Sequence, residues 1–323
     1  MRAILCETFG PPEALVLREG PDPKPGPGEV VVAVGAAPLN FFDTLIIENR
    51  YQYKPQPPFS PGGEIAGRIV AVGEGVAGFS KGDRVAAYVG WGGCRTHVVV
   101  PVEKLVPVPE GLSDDVAASL LIAYGTSLHA LEDRAKLKPG ETLAVLGASG
   151  GTGLSAVELG AIMGARVIAC ASSEAKLALA AEHGAHELLD YAREDVKAGL
   201  KRLAPDGVDV IYDPVGGDLA EPALRALGWK GRFLVVGFAG GSIPKMPLNL
   251  LLLKGCDMLG VFWGAFTEKE PEAHRANAAR LFGWALEGRL RVHVGAPVAL
   301  EDAPAAIRLI ADRKAEGKLV VRP

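Results

Sequence analysis

The segment Thr142–Gly153 constrains the fold of this chain more than any other. It reads Thr-Leu-Ala-Val-Leu-Gly-Ala-Ser-Gly-Gly-Thr-Gly, which predicts a short apolar strand, a glycine-dense turn and the first residues of a helix. Backbone N–H groups in such a turn approach a pyrophosphate only where no Cβ intervenes, and the helix N-terminus favours the anion. In the dinucleotide pattern G-x-G-x-x-G, Ala148 stands at the first glycine position, whereas Gly150 and Gly153 fit the other two. Because the motif is imperfect, its interpretation depends on the sequence around it.

The residues after this segment alternate between predicted strands and helices. Strands are expected at Arg166–Cys170, Glu187–Leu189, Val208–Tyr212, Arg232–Val236 and Met258–Phe262, with helices at Glu174–His183, Glu194–Leu203 and Leu219–Leu227. With Thr142–Leu146 as the first strand, this alternation is typical of an α/β protein with a doubly wound parallel sheet. Ligands of such sheets bind beyond the carboxyl ends of the strands.

The sequence before the alternation has a different character. Residues 1–115 carry short apolar runs separated by turns rich in proline and glycine, which predict a small β-barrel. Ser113 is a good N-cap for a helix at Asp114–Ile122, and Tyr124-Gly125-Thr126 is expected to break it before a helix at Ser127–Ala135. This helical stretch is expected to lead into the second domain.

Composition narrows the class of protein. The 323 residues carry a net charge of −4, which argues against the broad basic surface of a nucleic-acid binder. No apolar run reaches the roughly 18 residues of a membrane helix, and the N-terminus lacks the apolar core of a signal peptide. The four cysteines are too far apart for a C-x-x-C pair, so we expect buried free thiols. These observations predict a cytoplasmic protein that binds no nucleic acid and no membrane.

The end of the second predicted strand indicates which dinucleotide is bound. An NAD site places Asp or Glu there, about 20 residues beyond the glycines, to bind the ribose hydroxyls. Here the strand ends at Ser172 and Ser173, and Lys176 follows. Two hydroxyls and an ammonium suit a 2′-phosphate, which an acidic side chain repels, so we predict NADPH as the cofactor. Glu174 is the residue that favours NADH, and FAD is less expected because its motif usually stands near the start of the chain.

Seven stretches of the sequence share the motifs of one enzyme superfamily. They are Asn-Phe-Phe-Asp-Thr at 40–44, Tyr51, Pro-Gly-Gly-Glu-Ile-Ala-Gly at 61–67, Gly-Asp-Arg-Val at 82–85, Gly-Ala-Ser-Gly-Gly-Thr-Gly at 147–153, Val-Ile-Tyr-Asp-Pro-Val-Gly-Gly at 210–217 and Gly-Lys-Leu-Val-Val at 317–321. Together they resemble the medium-chain dehydrogenase/reductase superfamily, and within it the zinc-free quinone oxidoreductase branch that includes zeta-crystallin. They span nearly the full length of the chain.

The resemblance implies a domain plan. A discontinuous GroES-like β-barrel catalytic domain is expected at 1–122 and 266–323, around a Rossmann-type NADPH-binding domain at 123–265. The apolar strand Met258–Phe262 is expected at the edge of the sheet, where unpaired backbone groups invite a partner strand. We therefore expect a homodimer formed through this edge.

The sequence departs from the zinc-dependent members of the superfamily. They need a Cys ligand near position 40, where Leu39, Asn40 and Phe41 stand, and a His before Glu64, where Gly63 stands. Zinc requires Cys, His or carboxylate donors in a tetrahedral arrangement. We therefore predict no metal and interpret Glu64 as structural.

The resemblance also implies roles for individual residues. Asn40 and Tyr51 are expected to be catalytic, beside the nicotinamide, although Tyr53 is close enough to Tyr51 in sequence to be the working phenol. Cofactor contacts are expected from the glycine-rich turn and from more distant positions, namely Thr126, Gly147, Ser149, Gly150, Gly151, Thr152, Gly153, Ser172, Ser173, Lys176, Tyr191, Phe238, Ala239, Phe262, Trp263 and Lys318. Asp43 is expected to have a turn or helix-start role.

Without zinc to polarise an alcohol, reduction is the expected direction of the reaction. The leading hypothesis is NADPH-dependent reduction of quinones, with the Asn40 amide or the Tyr51 hydroxyl stabilising charge on the acceptor oxygen. A second hypothesis is NADPH-dependent reduction of the C=C bond of enals, enones or enoyl thioesters. A third, of another class, is a non-enzymatic NADPH-binding structural or RNA-associated protein, which the acidic charge balance disfavours.

Overall fold

The computed structural model describes residues 1–315 and 317–323. The chain divides into two compact units, which we call the first unit, Met1–Ile122 with Phe266–Pro323, and the second unit, Ala123–Ala265. None of the helices among the described residues is long and apolar enough to cross a membrane.

The strands and α-helices are as follows. The strands are β1 (Arg2–Leu5), β2 (Val16–Glu19), β3 (Glu29–Pro38), β4 (Glu64–Val72), β5 (Arg84–Tyr88), β6 (His97–Pro101), β7 (Leu105–Pro107), β8 (Thr142–Leu146), β9 (Arg166–Ala171), β10 (Glu187–Asp190), β11 (Val208–Asp213), β12 (Leu227–Val235), β13 (Asp257–Gly260), β14 (Val294–Ala299) and β15 (Lys318–Arg322). The helices are α1 (Phe41–Ile46), α2 (Asp114–Ser119), α3 (Gly125–Leu128), α4 (Gly151–Ile162), α5 (Glu174–Glu182), α6 (Val196–Leu203), α7 (Ala220–Ala226), α8 (Leu248–Lys254), α9 (Trp263–Lys269), α10 (Pro271–Leu286) and α11 (Ala303–Ala311).

The second unit is built on a parallel sheet in the order β10-β9-β8-β11-β12-β13. Numbered from β8, this order is 3-2-1-4-5-6, the order of a Rossmann-type sheet, so the predicted fold class is confirmed. Every residue of β8 is buried, as expected for a central parallel strand covered on both faces. The chain order reverses between β8 and β11, and ligands of such sheets bind beyond the carboxyl ends of the strands at this point.

The first unit is built on a mostly antiparallel sheet in the order β14-β15-β3-β4-β5-β7. β6 pairs with residues 29–33 of β3, away from the end of β3 that pairs with β15. The tail strand β15 runs antiparallel to β3, with Val320 opposite Pro38. The backbone N–H of Leu39 donates to the carbonyl of Leu319 at 2.9 Å, which extends this pairing. The last residues of the chain are therefore held against the segment that begins α1.

Besides shifted starts of β12, at Leu227 rather than Arg232, and of α6, at Val196 rather than Glu194, two differences from the sequence-based prediction involve Gly125 and Trp263. The predicted break at Tyr124-Gly125-Thr126 is absent, because residues 114–134 are helical throughout, with π-helical turns at Leu120–Tyr124 and His129–Arg134. Gly125 is needed there for packing, since a Cβ would lie 2.9 Å from Cζ2 of Trp263. The last parallel strand ends at Gly260 rather than at Phe262, and Trp263 begins α9.

Candidate active site

The glycine-rich turn lies at the reversal of the sheet. Gly147 follows β8 with a φ of +61°, and a Cβ on Gly153 would lie 2.1 Å from the carbonyl oxygen of Gly147. Only glycine at both positions allows the first turn of α4 to pack so closely on the end of β8. Ser149, Gly150, Gly151 and Thr152 lie between them, and a Cβ on Gly151 would meet no atom within 4 Å. The turn and the N-terminus of α4 therefore present backbone amides suited to a pyrophosphate.

A buried hydroxyl network supports this turn from beneath. The Ser127 hydroxyl donates to the carbonyl of Thr152 at 2.9 Å and lies 2.8 Å from the Tyr212 hydroxyl. The Ser155 hydroxyl donates to the carbonyls of Thr152 and Ala123, at 3.0 Å each. Burial raises the pKa of Tyr212, which keeps its hydroxyl protonated. Thr126 lies next to this network and is itself buried.

The end of β9 gathers hydroxyl and cationic groups. The Lys176 ammonium donates to the Ser172 hydroxyl at 3.1 Å, and the Ser173 hydroxyl caps α5 by accepting the N–H of Lys176 at 3.5 Å. Glu174 is engaged by the Arg193 guanidinium at 2.6 Å. The Glu174 carboxylate, which could otherwise bind the ribose hydroxyls of NADH, is therefore paired with Arg193.

The remaining predicted cofactor residues of the second unit have different environments. Tyr191 is partly buried against the core, and the Ala239 N–H donates to the carbonyl of Pro214 at 3.1 Å. The Phe238 ring packs on Gly216, where a Cβ would lie 2.8 Å from Cδ1 of the ring. Phe262 is 48% exposed, whereas Trp263 is 5% exposed and packs on Gly125.

Four polar residues meet in the first unit, which we call the polar cluster: Asn40, Asp43, Glu64 and Lys318. The Asn40 Nδ2 donates to Glu64 Oε1 at 2.9 Å, and its Oδ1 accepts a hydrogen bond from the Lys318 ammonium. Lys318 Nζ also lies 3.0 Å from Glu64 Oε1. Both ends of the Asn40 amide are therefore used inside the cluster.

Asp43 lies in the first turn of α1 and is fully buried, as Glu64 is. Its carboxylate accepts the backbone N–H groups of Asn40 at 2.8 Å and Gly62 at 2.9 Å, which is the expected helix-start role. Burial raises the pKa of Asp43 to about 7, and the nearby Glu64 carboxylate adds to the effect, while the two N–H groups and Lys318 oppose it.

Tyr51 lies in an aromatic wall beside the cluster. Its ring centroid is 5.3 Å from that of Phe42 and 6.0 Å from that of Tyr53. Burial, with smaller contributions from Tyr53 and Asp43, raises the pKa of Tyr51 to about 12, so the phenol is protonated at neutral pH. Its hydroxyl makes no hydrogen bond with any residue that the structure describes. Tyr51 thus offers an unused hydrogen-bond donor.

The polar cluster does not suit a zinc ion. Within residues 1–315 and 317–323, no group of three His, Cys, Asp or Glu side chains is placed to hold a metal. A side chain at position 63 is excluded by the Phe42 ring, because a Cβ on Gly63 would lie 2.2 Å from its Cζ. The ammonium of Lys318 already stands beside the Glu64 carboxylate. An amide and an ammonium are poor partners for zinc.

Sequence reasoning did not assign two of these contacts. The sequence predicts neither the contact of Arg193 with Glu174 nor the contacts of Lys318 with Asn40 and Glu64. The pairs Arg193–Glu174 and Lys318–Asn40 join residues 19 and 278 positions apart, so no local pattern reveals them.

Comparisons with known proteins match both units. Residues 26–110 match the alcohol dehydrogenase GroES-like domain family, and residues 151–279 match the zinc-binding dehydrogenase family. The chain is 38% identical to a quinone oxidoreductase-like protein 2 homolog of Nematostella vectensis, over 99% of this chain and 88% of the other. It is 34% identical to a quinone oxidoreductase of Pseudomonas aeruginosa, over 100% of this chain and 99% of the other.

Solved structures are similar over the whole chain. A quinone oxidoreductase of Thermus thermophilus, solved alone and with NADPH, superposes with a TM-score of 0.84 at 36% identity and full coverage of both chains. The Escherichia coli quinone oxidoreductase complexed with NADPH superposes with a TM-score of 0.93 at 26% identity, also with full coverage.

The raised pKa of Asp43 predicts a specific pH dependence of stability. Between about pH 4 and about pH 7 the folded state holds a proton on Asp43 that the unfolded chain has lost, so the free energy of unfolding falls as pH rises. Relative to an Asp43→Asn variant, wild-type protein is expected to lose stability across this range, by at most about 1.4 kcal/mol per pH unit. Denaturant unfolding of both proteins at several pH values measures this.

The exposed Asp206 supplies the control, since Asp206→Asn removes a carboxyl group outside the cluster. A wild-type advantage over Asp43→Asn that grows with pH would contradict the assignment, because it would mean that the folded state favours the Asp43 carboxylate.

Proposed function

Because this chain belongs to the quinone oxidoreductase branch of the medium-chain dehydrogenase/reductase superfamily, we propose that it reduces quinones with NADPH and without zinc. The observation that carries the proposal is the unused, protonated hydroxyl of Tyr51 in an aromatic wall. Such a wall suits a flat apolar acceptor, and the hydroxyl suits an oxygen that gains negative charge.

The residues of the second unit fit NADPH. The glycine-rich turn and α4 would hold the pyrophosphate, and Ser172, Ser173, Lys176 and Tyr191 would frame the adenosine with its 2′-phosphate. The family resemblance assigns Phe238, Ala239, Phe262 and Trp263 to the nicotinamide half, and it assigns Thr126 to the cofactor without specifying a half. When bound, NADPH supplies the hydride.

The residues of the first unit act on the acceptor. Reduction of a quinone builds negative charge on its oxygen, and a hydrogen bond from Tyr51 stabilises that charge. Its pKa of about 12 keeps the hydroxyl in the donating form throughout the physiological range. The Asn40 amide, already bonded at both ends, holds the start of α1 in place. Zinc enters no step, because the donor set of the cluster does not fit it.

Steady-state oxidation of NADPH with 1,4-benzoquinone, 9,10-phenanthrenequinone and trans-2-hexenal tests the proposal. We expect turnover of the quinones, and we expect Tyr51→Phe to lower kcat roughly 10²-fold because it removes only the donor. Tyr53→Phe is the comparison, since its ring adjoins that of Tyr51. Loss of kcat in Tyr53→Phe alone would make Tyr53 the phenol. Preference for hexenal would favour a C=C reductase, and absence of turnover with every acceptor would contradict both.

The contacts at the end of β9 predict a preference for NADPH over NADH. Lys176→Met is expected to lower kcat/KM for NADPH roughly tenfold or more, the size of a lost charge-assisted hydrogen bond, and to leave NADH unaffected. Lys81→Met, at an exposed lysine of the first unit, is the control. Equal losses with both cofactors would mean that Lys176 does not bind the 2′-phosphate.

We also propose a homodimer formed at the β13 edge of the parallel sheet. β13 pairs only with β12 among the described strands, so no described strand pairs with its other side, where a partner strand could add. Nearby in the chain, Leu248, Leu252 and Leu253 on α8 are 72%, 81% and 69% exposed, and Trp229, packed on Gly255, is 71% exposed. An apolar surface of this kind is typical of a protein interface.

Light scattering after gel filtration measures the oligomeric state. Wild-type protein is expected to have twice the mass of the chain, and Leu252→Lys is expected to shift it toward the monomer, because burial of one leucine contributes about 1.5–3 kcal/mol. Leu188→Lys, at a 40% exposed leucine on the opposite edge strand β10, is the matched control. A monomeric wild type, or dissociation in the control alone, would contradict this interface.

A further inference from the structure

The Glu64 carboxylate is a fully buried charge with a complete set of partners. Its Oε2 accepts the backbone N–H of Ile122 at 2.7 Å, and its Oε1 lies within 3.0 Å of both the Asn40 amide and the Lys318 ammonium. A buried carboxylate persists only when it is paired and hydrogen-bonded. Lys318 is the cation that meets this requirement.

Backbone hydrogen bonds fix the position of Lys318 in the strand. It begins β15, and its N–H donates to the carbonyl of His293 at 2.8 Å. The bond from Leu39 to the carbonyl of Leu319, at 2.9 Å, sets the start of β15 against the residue before Asn40. The ammonium therefore reaches Asn40 from a rigid strand.

The segment Gly62-Gly63-Glu64 contacts the start of α1 at three successive residues. The Gly62 N–H donates to Asp43 at 2.9 Å, and Glu64 accepts the Asn40 amide at 2.9 Å. Between them, Gly63 leaves space for the Phe42 ring, whose Cζ would lie 2.2 Å from a Cβ at position 63. The Phe42 ring in turn contacts Tyr51, with ring centroids 5.3 Å apart. The Lys318–Glu64 pair is thus connected to the phenol through Asn40 and α1.

We propose that Lys318 is a positioning residue for the Tyr51 phenol: its ammonium, paired with Glu64, fixes the Asn40 amide at the start of α1, and the Phe42 ring of that helix holds the Tyr51 ring. This role differs from the cofactor contact that the family resemblance assigns to Lys318. It rests on the proposed function, because Tyr51 is the donor assigned there.

Four variants separate positioning from simple stability. Lys318→Met removes the charge at similar length, and Lys318→Arg restores a cation with donors for both Asn40 and Glu64. Lys318→Met combined with Glu64→Gln removes both charges, which relieves the cost of an unpaired buried carboxylate if the single variant folds poorly. Lys314→Met, at a 71% exposed lysine of the same tail, is the control.

The kinetic readout is the division of the effect between kcat and KM. We expect Lys318→Met and the double variant to lower kcat roughly 10- to 100-fold, the scale of a displacement of about 1 Å at a reacting group. KM for NADPH should stay unchanged, Lys318→Arg should recover most of the rate, and the double variant should regain thermal stability without regaining kcat. A rise in KM for NADPH with kcat unchanged would assign Lys318 to the cofactor and overturn the proposal.

A second readout does not depend on any acceptor. In protein labelled with ¹³C-tyrosine, the ring signal that disappears in Tyr51→Phe is assigned to Tyr51. We expect this signal to shift or broaden in Lys318→Met and to return in Lys318→Arg. An unchanged Tyr51 signal would overturn the positioning role even if quinones are turned over. A shifted signal without quinone turnover would support the role and place the failure in the proposed function.

Discussion

The buried carboxylate of Glu64 is the constraint on which the first unit depends. Because a charge without solvent must be paired, the start of α1, the tail strand β15 and the backbone N–H of Ile122 each contribute a partner. In a metal-dependent relative a divalent ion would dominate the electrostatics of such a cluster. Here an ammonium stands beside the carboxylate and an aromatic ring occupies the space at position 63. Beside this filled cluster, the Tyr51 hydroxyl makes no hydrogen bond to any described residue.

In the second unit, the corresponding constraint is the steric one between Gly147 and Gly153. The close approach of Gly153 to the carbonyl of Gly147 sets the first turn of α4 directly on the end of β8. The hydroxyls of Ser127, Ser155 and Tyr212 hydrogen-bond to one another and to the carbonyl of Thr152, which supports the turn. This tight turn follows from packing that only glycine permits.

The sequence predicted the parts of the fold that local pattern determines. The β8 strand has the bounds expected from its apolar run, because it is a regular element whose residues are all buried. The predicted helix break at Gly125 is wrong, because glycine there leaves space for the Trp263 ring rather than forming a turn. The sequence motifs predicted Asn40, Tyr51 and the glycine-rich turn as parts of the site. Lys318 as the partner of Asn40 and Arg193 as the partner of Glu174 could not be predicted, because tertiary folding brings these distant residues together.

Single-turnover kinetics test whether NADPH reduces an acceptor here without a metal. Protein dialysed against a chelator is mixed with NADPH carrying hydrogen or deuterium at the transferred position, and then with 1,4-benzoquinone. We expect a primary isotope effect on NADPH oxidation and a rate that chelation leaves unchanged. Loss of the rate after chelation, with recovery on addition of Zn²⁺, would contradict it.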